Sequence, residues 1–371
     1  MPSQAMQDVI EVLRNRQKAS AGQAAPTLEE LRATFTPGAR LHPIPDEVQI
    51  GEVTAGGVPA HWLTAPGADA GQVLLFLHGG GYELGSVRSD GELAARLGRA
   101  SGMRVLFPEY RLAPEHPFPA AIDDVLAAWG WLRAAQGLSA RSIAVAGDSA
   151  GGGLAVALLV AARDAGEPLP AAGVLMSPTV DLTGSGASMT ERADQDPIST
   201  PAMLSQFASG YLAGADPKTP LASPLFASFS GLPPLLVQVG TADLLLSDSE
   251  RLARAAARAG VDVTLQIGEG LPHVYQLNSA PPRQPRPPSR SRRSCEPEFP
   301  NQTAHGRVHI ESSREAPRAP EGGRPDEYLH AGLRVAGDRT PDRRGAAVGG
   351  SSAARRGLKC RPRHPGTVVV R

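Results

Sequence analysis

The stretch Ser142-Ile143-Ala144-Val145-Ala146-Gly147-Asp148-Ser149-Ala150-Gly151-Gly152 decides how the rest of the chain is read. An apolar run over 142–146 passes through Gly147-Asp148-Ser149-Ala150-Gly151 into an Ala/Leu-rich segment with helical spacing. The pentapeptide fits G-x-S-x-G in the strand–turn–helix context that gives the pattern its meaning. A strand that turns sharply into a helix strains the serine backbone and exposes its hydroxyl above the sheet. Small residues at Gly147, Gly151 and Gly152 let the chain pass closely there. The helix N-terminus beside Ser149 favours developing negative charge. The pentapeptide by itself also fits a glycine-rich turn without chemistry; its flanks favour a nucleophile.

Short runs rich in Val, Leu and Ile lie on both sides, at 48–53, 59–63, 73–77, 104–107, 143–146, 173–176, 235–239 and 261–267. Helical patterns separate the later ones, at 120–135, 152–165 and 249–259. Strand and helix in alternation imply an α/β fold, a mostly parallel sheet with helices on both faces. The closely spaced first runs suit an antiparallel start to that sheet. Upstream, Met6, Val9, Ile10 and Leu13 recur at helical spacing, and Thr27 with Glu30 forms a capping-box pattern before Leu31. The rhythm breaks over 183–216, which predicts an insertion covering the functional edge of the sheet. The organisation expected is a helical cap segment over 1–45, a catalytic domain over 46–279 and a tail over 280–371.

A second glycine cluster, His78-Gly79-Gly80-Gly81-Tyr82, follows the run at 73–77. Acyl transfer passes through a tetrahedral oxyanion that needs preorganised N–H donors, and consecutive glycines let amides approach a substrate unobstructed. A flexible turn is the alternative reading, disfavoured because the three glycines follow an apolar strand and precede an aromatic residue. Together with Tyr110-Arg111-Leu112-Ala113-Pro114-Glu115-His116-Pro117, Asp123-Asp124, Ser177-Pro178, Asp181-Leu182-Thr183, and Gly240 with Asp243 and Leu244, these motifs resemble the hormone-sensitive lipase family of α/β-hydrolases. The resemblance covers roughly 40–278 and implies the α/β-hydrolase fold with a helical cap. It implies Ser149 as nucleophile, and an oxyanion hole made by the N–H groups of Gly80, Gly81 and Ala150. It also implies a short- to medium-chain ester as substrate.

The partners of Ser149 are sought in the order Ser, then acid, then His. Between Ser149 and residue 280 the chain holds one histidine, His273, in a loop after the run at 261–267. His78 is read as an orienter of the glycine loop, and His42, His61 and His116 as structural or exposed. Asp243, just past the run at 235–239, matches the family's acid position. Asp248 reads as a helix cap, Asp181 as a weaker rival after an earlier strand, and Asp148 as structural. No metal or organic cofactor is required by this chemistry.

Charge separates the tail from the rest. The chain has 371 residues and zero formal charge, but residues 1–279 carry 18 basic and 28 acidic side chains while 280–371 carry 19 and 9. An acidic main segment argues against nucleic acid as a partner. Both cysteines, Cys295 and Cys360, lie in the tail, which excludes a disulfide scaffold or a cysteine zinc site in the main segment. There is no apolar run long enough for a membrane span and no signal-peptide pattern, so the default location is cytoplasmic. The tail, rich in Arg and Pro, reads as disordered. Its one lysine against 18 arginines fits out-of-frame or unrelated sequence in place of a final helix. A nucleic-acid arm built on Ser289-Arg290-Ser291-Arg292-Arg293-Ser294 is the functional alternative for the tail. For the whole chain the leading expectation is a carboxylic-ester hydrolase taking a small-molecule ester. The alternatives are a non-catalytic small-molecule binder of the same fold and an esterase impaired by loss of its last helix. The oligomeric state stays open, a homodimer included.

Overall fold

The computed structural model describes residues 1–20, 22–23, 26–35, 43–278 and 367–370. Among the described residues nine strands form one sheet: β1 Gln49–Ala55, β2 Val58–Thr64, β3 Asp69–Leu77, β4 Met103–Pro108, β5 Ile143–Asp148, β6 Gly173–Met176, β7 Leu235–Gly240, β8 Val263–Gly268 and β9 Thr367–Val370. Their order is β1-β2-β4-β3-β5-β6-β7-β8-β9. Strands β3 to β8 run parallel; β1 and β2 are antiparallel at one edge, and β9 is antiparallel to β8 at the other. The β1–β2 connection is only Gly56-Gly57, with φ of 65° and 92°. Such a two-residue hairpin turn needs positive φ at both positions, which glycine adopts freely.

The helices are α1 Gln4–Ser20, α2 Leu28–Thr34, α3 Val87–Ser101, α4 Ala120–Ala134, α5 Ser149–Asp164, α6 Ser188–Glu191, α7 Pro201–Leu212 and α8 Leu246–Arg258. The continuous apolar runs of the central strands arise because both sheet faces are covered. Val73, Leu75 and Leu77 of β3 and Ile143 and Val145 of β5 share a core with α4, α5 and α8. The alternating residues Leu74, Phe76, Ala144 and Ala146 pack with Leu93 and Leu97 of α3 on the other face.

Helix α3 was not signalled by the sequence pattern, since Gly91 and Gly98 dilute its apolar stripe. Its signal lay in its ends: Ser86 accepts the Arg88 N–H, and Gly102 closes the helix at φ 71°. Gly98 is required by proximity, because a Cβ there would stand 2.5 Å from Val105 Cγ2. In the segment where an insertion was anticipated, α6 and α7 lie between β6 and β7. Thr27 caps α2 and the full capping box with Glu30 is formed. Asp248 is not the cap of α8; it is buried in the first turn, and Leu245 occupies the cap position.

Residues 367–370 depart from the expectation of a tail without structure. This Thr-Val-Val-Val run is β-branched throughout, and it pairs along β8 from Val263 to Gln266. The readings of the remaining tail, of Cys295, Cys360 and 289–294, and of His42 lie outside the described residues. No helix among the described residues is long and apolar enough to cross a membrane.

Helix α1 docks through a small contact of its own. Met6 and Ile10 are buried against Leu271 and Tyr275, in the loop after β8. Placing a carboxylate there removes an apolar anchor that contributes about 1.5–3 kcal/mol. Ile10→Asp is therefore expected to speed tryptic cleavage at Arg14, Arg16 and Lys18 by about tenfold or more, as followed by mass spectrometry, while 43–278 stays intact.

Candidate active site

Strand β5 ends at Asp148 and α5 begins at the next residue, so Ser149 sits at the turn with φ +50°. Two glycines make the turn this tight. A Cβ on Gly147 would stand 2.3 Å from Gly151 O, and one on Gly151 2.0 Å from Leu77 O. Any side chain at either place would push the turn off β3.

Two further loops bring side chains to Ser149. His273, after β8, places Nε2 3.0 Å from Ser149 Oγ. Its Nδ1 lies 3.1 and 3.2 Å from the two carboxylate oxygens of Asp243, which follows β7. A carboxylate only accepts, so Nδ1 carries the hydrogen, and in the neutral ring Nε2 is left to accept from the serine hydroxyl. All three side chains are buried. The loops that carry Asp243 and His273 are joined to each other. Ala242 N–H donates to Leu271 O at 3.1 Å and Gly270 N–H to Thr241 Oγ1 at 2.7 Å. Val274, next to His273, donates its N–H to Ser177 Oγ at 3.1 Å.

The glycine loop adjoins the serine turn through Gly79 and Asp148. Gly80, Gly81 and Tyr82 have φ of 108°, 64° and 65°, which turns the chain back between β3 and α3. His78 anchors it: Nδ1 donates to Gly79 O at 2.8 Å and the ring stacks on Tyr110 at 4.1 Å. Tyr110 OH donates to His78 O at 2.7 Å. Burial holds His78 down at about 4, so it stays neutral. Asp148 accepts the Gly79 N–H, linking the serine turn to the glycine loop. Helix α7 closes over this loop. A Cβ on Gly81 would meet the Phe207 ring at 2.3 Å, and Tyr82 stacks on Tyr211 with centroids 3.8 Å apart. Arg32 of α2 donates to Glu83 O and Ala113 O, each at 2.9 Å, and to Glu115.

Ser149, Asp243 and His273 are thus brought into one hydrogen-bonded line, and the glycine loop is tied to its serine turn through Gly79 and Asp148. The rivals are engaged elsewhere: Asp181 with Ser185, Thr183 and Arg251, and Asp248 with Val180 N–H. His116 is exposed, and His61 pairs with Glu109 at 3.3 Å. Sequence reasoning missed Phe207, Tyr211, Arg32 and the buried Asp196. The i, i+4 aromatic spacing of Phe207 and Tyr211 was the available signal; Asp196 offered none. Among the described residues no group of three His, Cys, Asp or Glu side chains is placed to hold a metal. A cleft of about 860 Å³ lined by Arg133, Arg141, Glu167 and several prolines opens at the start of β5, β6 and β7. The reactive line lies at the opposite ends of the strands, where parallel sheets of this kind place their ligands.

Residues 74–277 match the family described as alpha/beta hydrolase fold. The chain belongs to this family, in its hormone-sensitive lipase branch. An acetyl-hydrolase of Streptomyces hygroscopicus is 48% identical over 223 residues, spanning 60% of this chain and 74% of the relative. A crystal structure of an esterase from the bacterial hormone-sensitive lipase family aligns with TM-score 0.71 and 45% identity, over 75% of this chain and 92% of the other. The structure of EstE5 soaked with p-nitrophenyl butyrate aligns with TM-score 0.70 and 40% identity, over 74% and 91%. The protein is accordingly a hydrolase of the carboxylesterase class.

In this hydrolase burial alone would lower the His273 pKa, but the charge and hydrogen bond of Asp243, aided by Asp196 and Asp148, raise it above the ordinary 6.5. The sign follows: the stabilisation from a charged His273 is complete below 6.5 and is lost as pH rises through the raised value. By nitrogen-edited NMR the ring should titrate above 6.5, and Asp243→Asn should lower the midpoint by about 1–3 units. An unchanged midpoint would refute the ion-pair assignment.

Proposed function

We propose that this protein hydrolyses small carboxylic esters through a covalent acyl-serine. The observation that carries the reading is the continuous line from Ser149 Oγ through the His273 ring to Asp243, at 3.0 and 3.1 Å. Ser149 attacks the ester carbonyl as His273 Nε2 takes its proton, forming a tetrahedral oxyanion. Asp243 holds the imidazole in the tautomer that can accept this proton and stabilises the imidazolium that results. The N–H groups of Gly80, Gly81 and Ala150 receive the oxyanion. As the intermediate collapses, the C–O bond to the alcohol breaks and His273 protonates the leaving oxygen. Water then attacks the acyl-serine, giving its proton to His273, and a second collapse returns the proton to Ser149 with release of the acid.

A short acyl group is the preferred cargo in this reading. Phe207 fills the space directly over Gly81 and is itself buried, so little room is left for a long chain beside the proposed oxyanion donors. The names of the Streptomyces relative and of the butyrate-soaked EstE5 point the same way. A non-catalytic binder is disfavoured because all three members of the line are present and in contact.

The test is labelling by a serine-reactive fluorophosphonate, together with hydrolysis of p-nitrophenyl esters from acetate upward. The unsubstituted protein should label, and Ser149→Ala should not label and should lose about 10⁴-fold or more in kcat. Acetate and butyrate should be cut faster than laurate. Absence of labelling in the unsubstituted protein would defeat the catalytic reading; equal labelling of both would reject Ser149.

A further inference from the structure

Asp196 is a buried carboxylate, 1% exposed, on the segment between α6 and α7, and the reading above gives it no task. Its two oxygens face different parts of the molecule. Oδ1 accepts the N–H groups of Ile198 at 2.9 Å and Ser199 at 3.0 Å, closing its own loop. Oδ2 accepts the N–H of Leu244 at 3.1 Å, immediately after Asp243. The next amide, Leu245 N–H, donates to Asp243 Oδ1 at 2.8 Å. Two consecutive amides of one turn are therefore held by two carboxylates from segments far apart in sequence.

The same turn is gripped at its carbonyl. Ser188 Oγ donates to Leu244 O at 2.5 Å and accepts the Ser247 N–H at 3.0 Å. Gln17 of α1 donates to Asp196 O at 3.2 Å, which ties the N-terminal helix into the assembly. Serine and asparagine close such loops without the cost of desolvating a charge. A carboxylate offers what they do not: an acceptor on both sides and a negative charge.

We propose that Asp196 is a positioning residue that acts through Asp243, holding the Leu244 amide so that the Asp243 carboxylate stays aimed at His273. The proposal rests on the reading of Ser149, His273 and Asp243 as a catalytic relay. Three carboxylates act electrostatically on His273: Asp243 from the loop after β7, Asp196 from the segment before α7, and Asp148 from the end of β5. Burial first, and then the neighbouring Asp243 charge, lift Asp196 to about 6, so it is ionised in mildly alkaline solution and adds to the field that favours an imidazolium.

The experiment compares Asp196→Asn and Asp196→Ala, each alone and combined with Asp243→Asn. It reads p-nitrophenyl acetate kinetics, the His273 ring titration and the thermal midpoint. Each single Asp196 variant should lose about tenfold or more in kcat with KM changed less than about twofold. The His273 midpoint should fall by about half a unit or more. In the Asp243→Asn background the same substitutions should change the residual rate by less than about twofold, because the residue they act through is already disabled. Independent effects that multiply, or a lower thermal midpoint with unaltered kcat and His273 titration, would overturn the proposal. If the alanine variant does not fold, the near-isosteric asparagine variant supplies the same readings. Failure of the unsubstituted protein to hydrolyse any ester would sink the esterase reading; the His273 titration would still decide whether Asp196 acts through Asp243.

Discussion

Ser149 is held at φ +50°, a backbone conformation that costs a non-glycine residue about 1–3 kcal/mol. Much of the structure around it can be understood as what makes that conformation unavoidable. The strand on one side is fixed by parallel pairing with β3 and β6, and the helix on the other is buried along almost its whole length. Between these two rigid bodies the chain has a single residue in which to reverse. The glycines at 147 and 151 let the turn contact itself and the β3 backbone without a gap, so no relaxed alternative is at hand. The strain is repaid by the packing of β5 and α5, and a hydroxyl is left standing at the end of the sheet.

The second requirement is that side chains on separate loops meet this hydroxyl. Loops are the least rigid parts of a fold, and here they are stiffened by tying them to one another. The turn after β7 and the turn after β8 share hydrogen bonds through Ala242, Leu271, Thr241 and Gly270. The glycine loop is stacked from below by Tyr110 and pressed from above by Phe207 and Tyr211. The inserted helices therefore do more than roof a pocket. Their contacts reach the backbone of the loops that carry the proposed acid and the proposed oxyanion donors, so a change in α7 is transmitted to Gly81 and Tyr82 directly.

What the sequence made legible follows from how each feature is encoded. The serine turn, the glycine loop and the order of Ser149, Asp243 and His273 are local patterns, each carried by a few adjacent residues and a neighbouring strand. The sheet was legible because buried parallel strands are continuous apolar runs. Helix α3 escaped because its glycines serve contact with β4 at the expense of helical pattern, and only its caps gave it away. Asp248 was misplaced because an acidic residue near a helix start looks like a cap until its burial is known. Asp196 was invisible for a deeper reason: its partner Leu244 is 48 residues away and contributes a backbone amide, which has no sequence identity to recognise. The strand at 367–370 was lost in the composition of the tail around it, although its β-branched run is a strand signal.

The electrostatics of the site connect these parts. Asp148 and Asp90 are buried and Glu109 is half-buried, each with its carboxyl held above its ordinary range, chiefly by desolvation. Burial of this kind keeps a carboxyl neutral unless a cation or a set of N–H donors offsets it. Asp243 is hydrogen-bonded to the His273 ring and to the Leu245 amide. Asp148 has two roles, accepting the Gly79 N–H and acting electrostatically on His273. Asp196 accepts three backbone amides, which offset part of the cost of its burial. The charges of Asp243, Asp196 and Asp148 gather around His273 and favour its imidazolium form. A proton moving from Ser149 to His273 would be stabilised there by these carboxylates, which is the direction of transfer that attack by the serine requires.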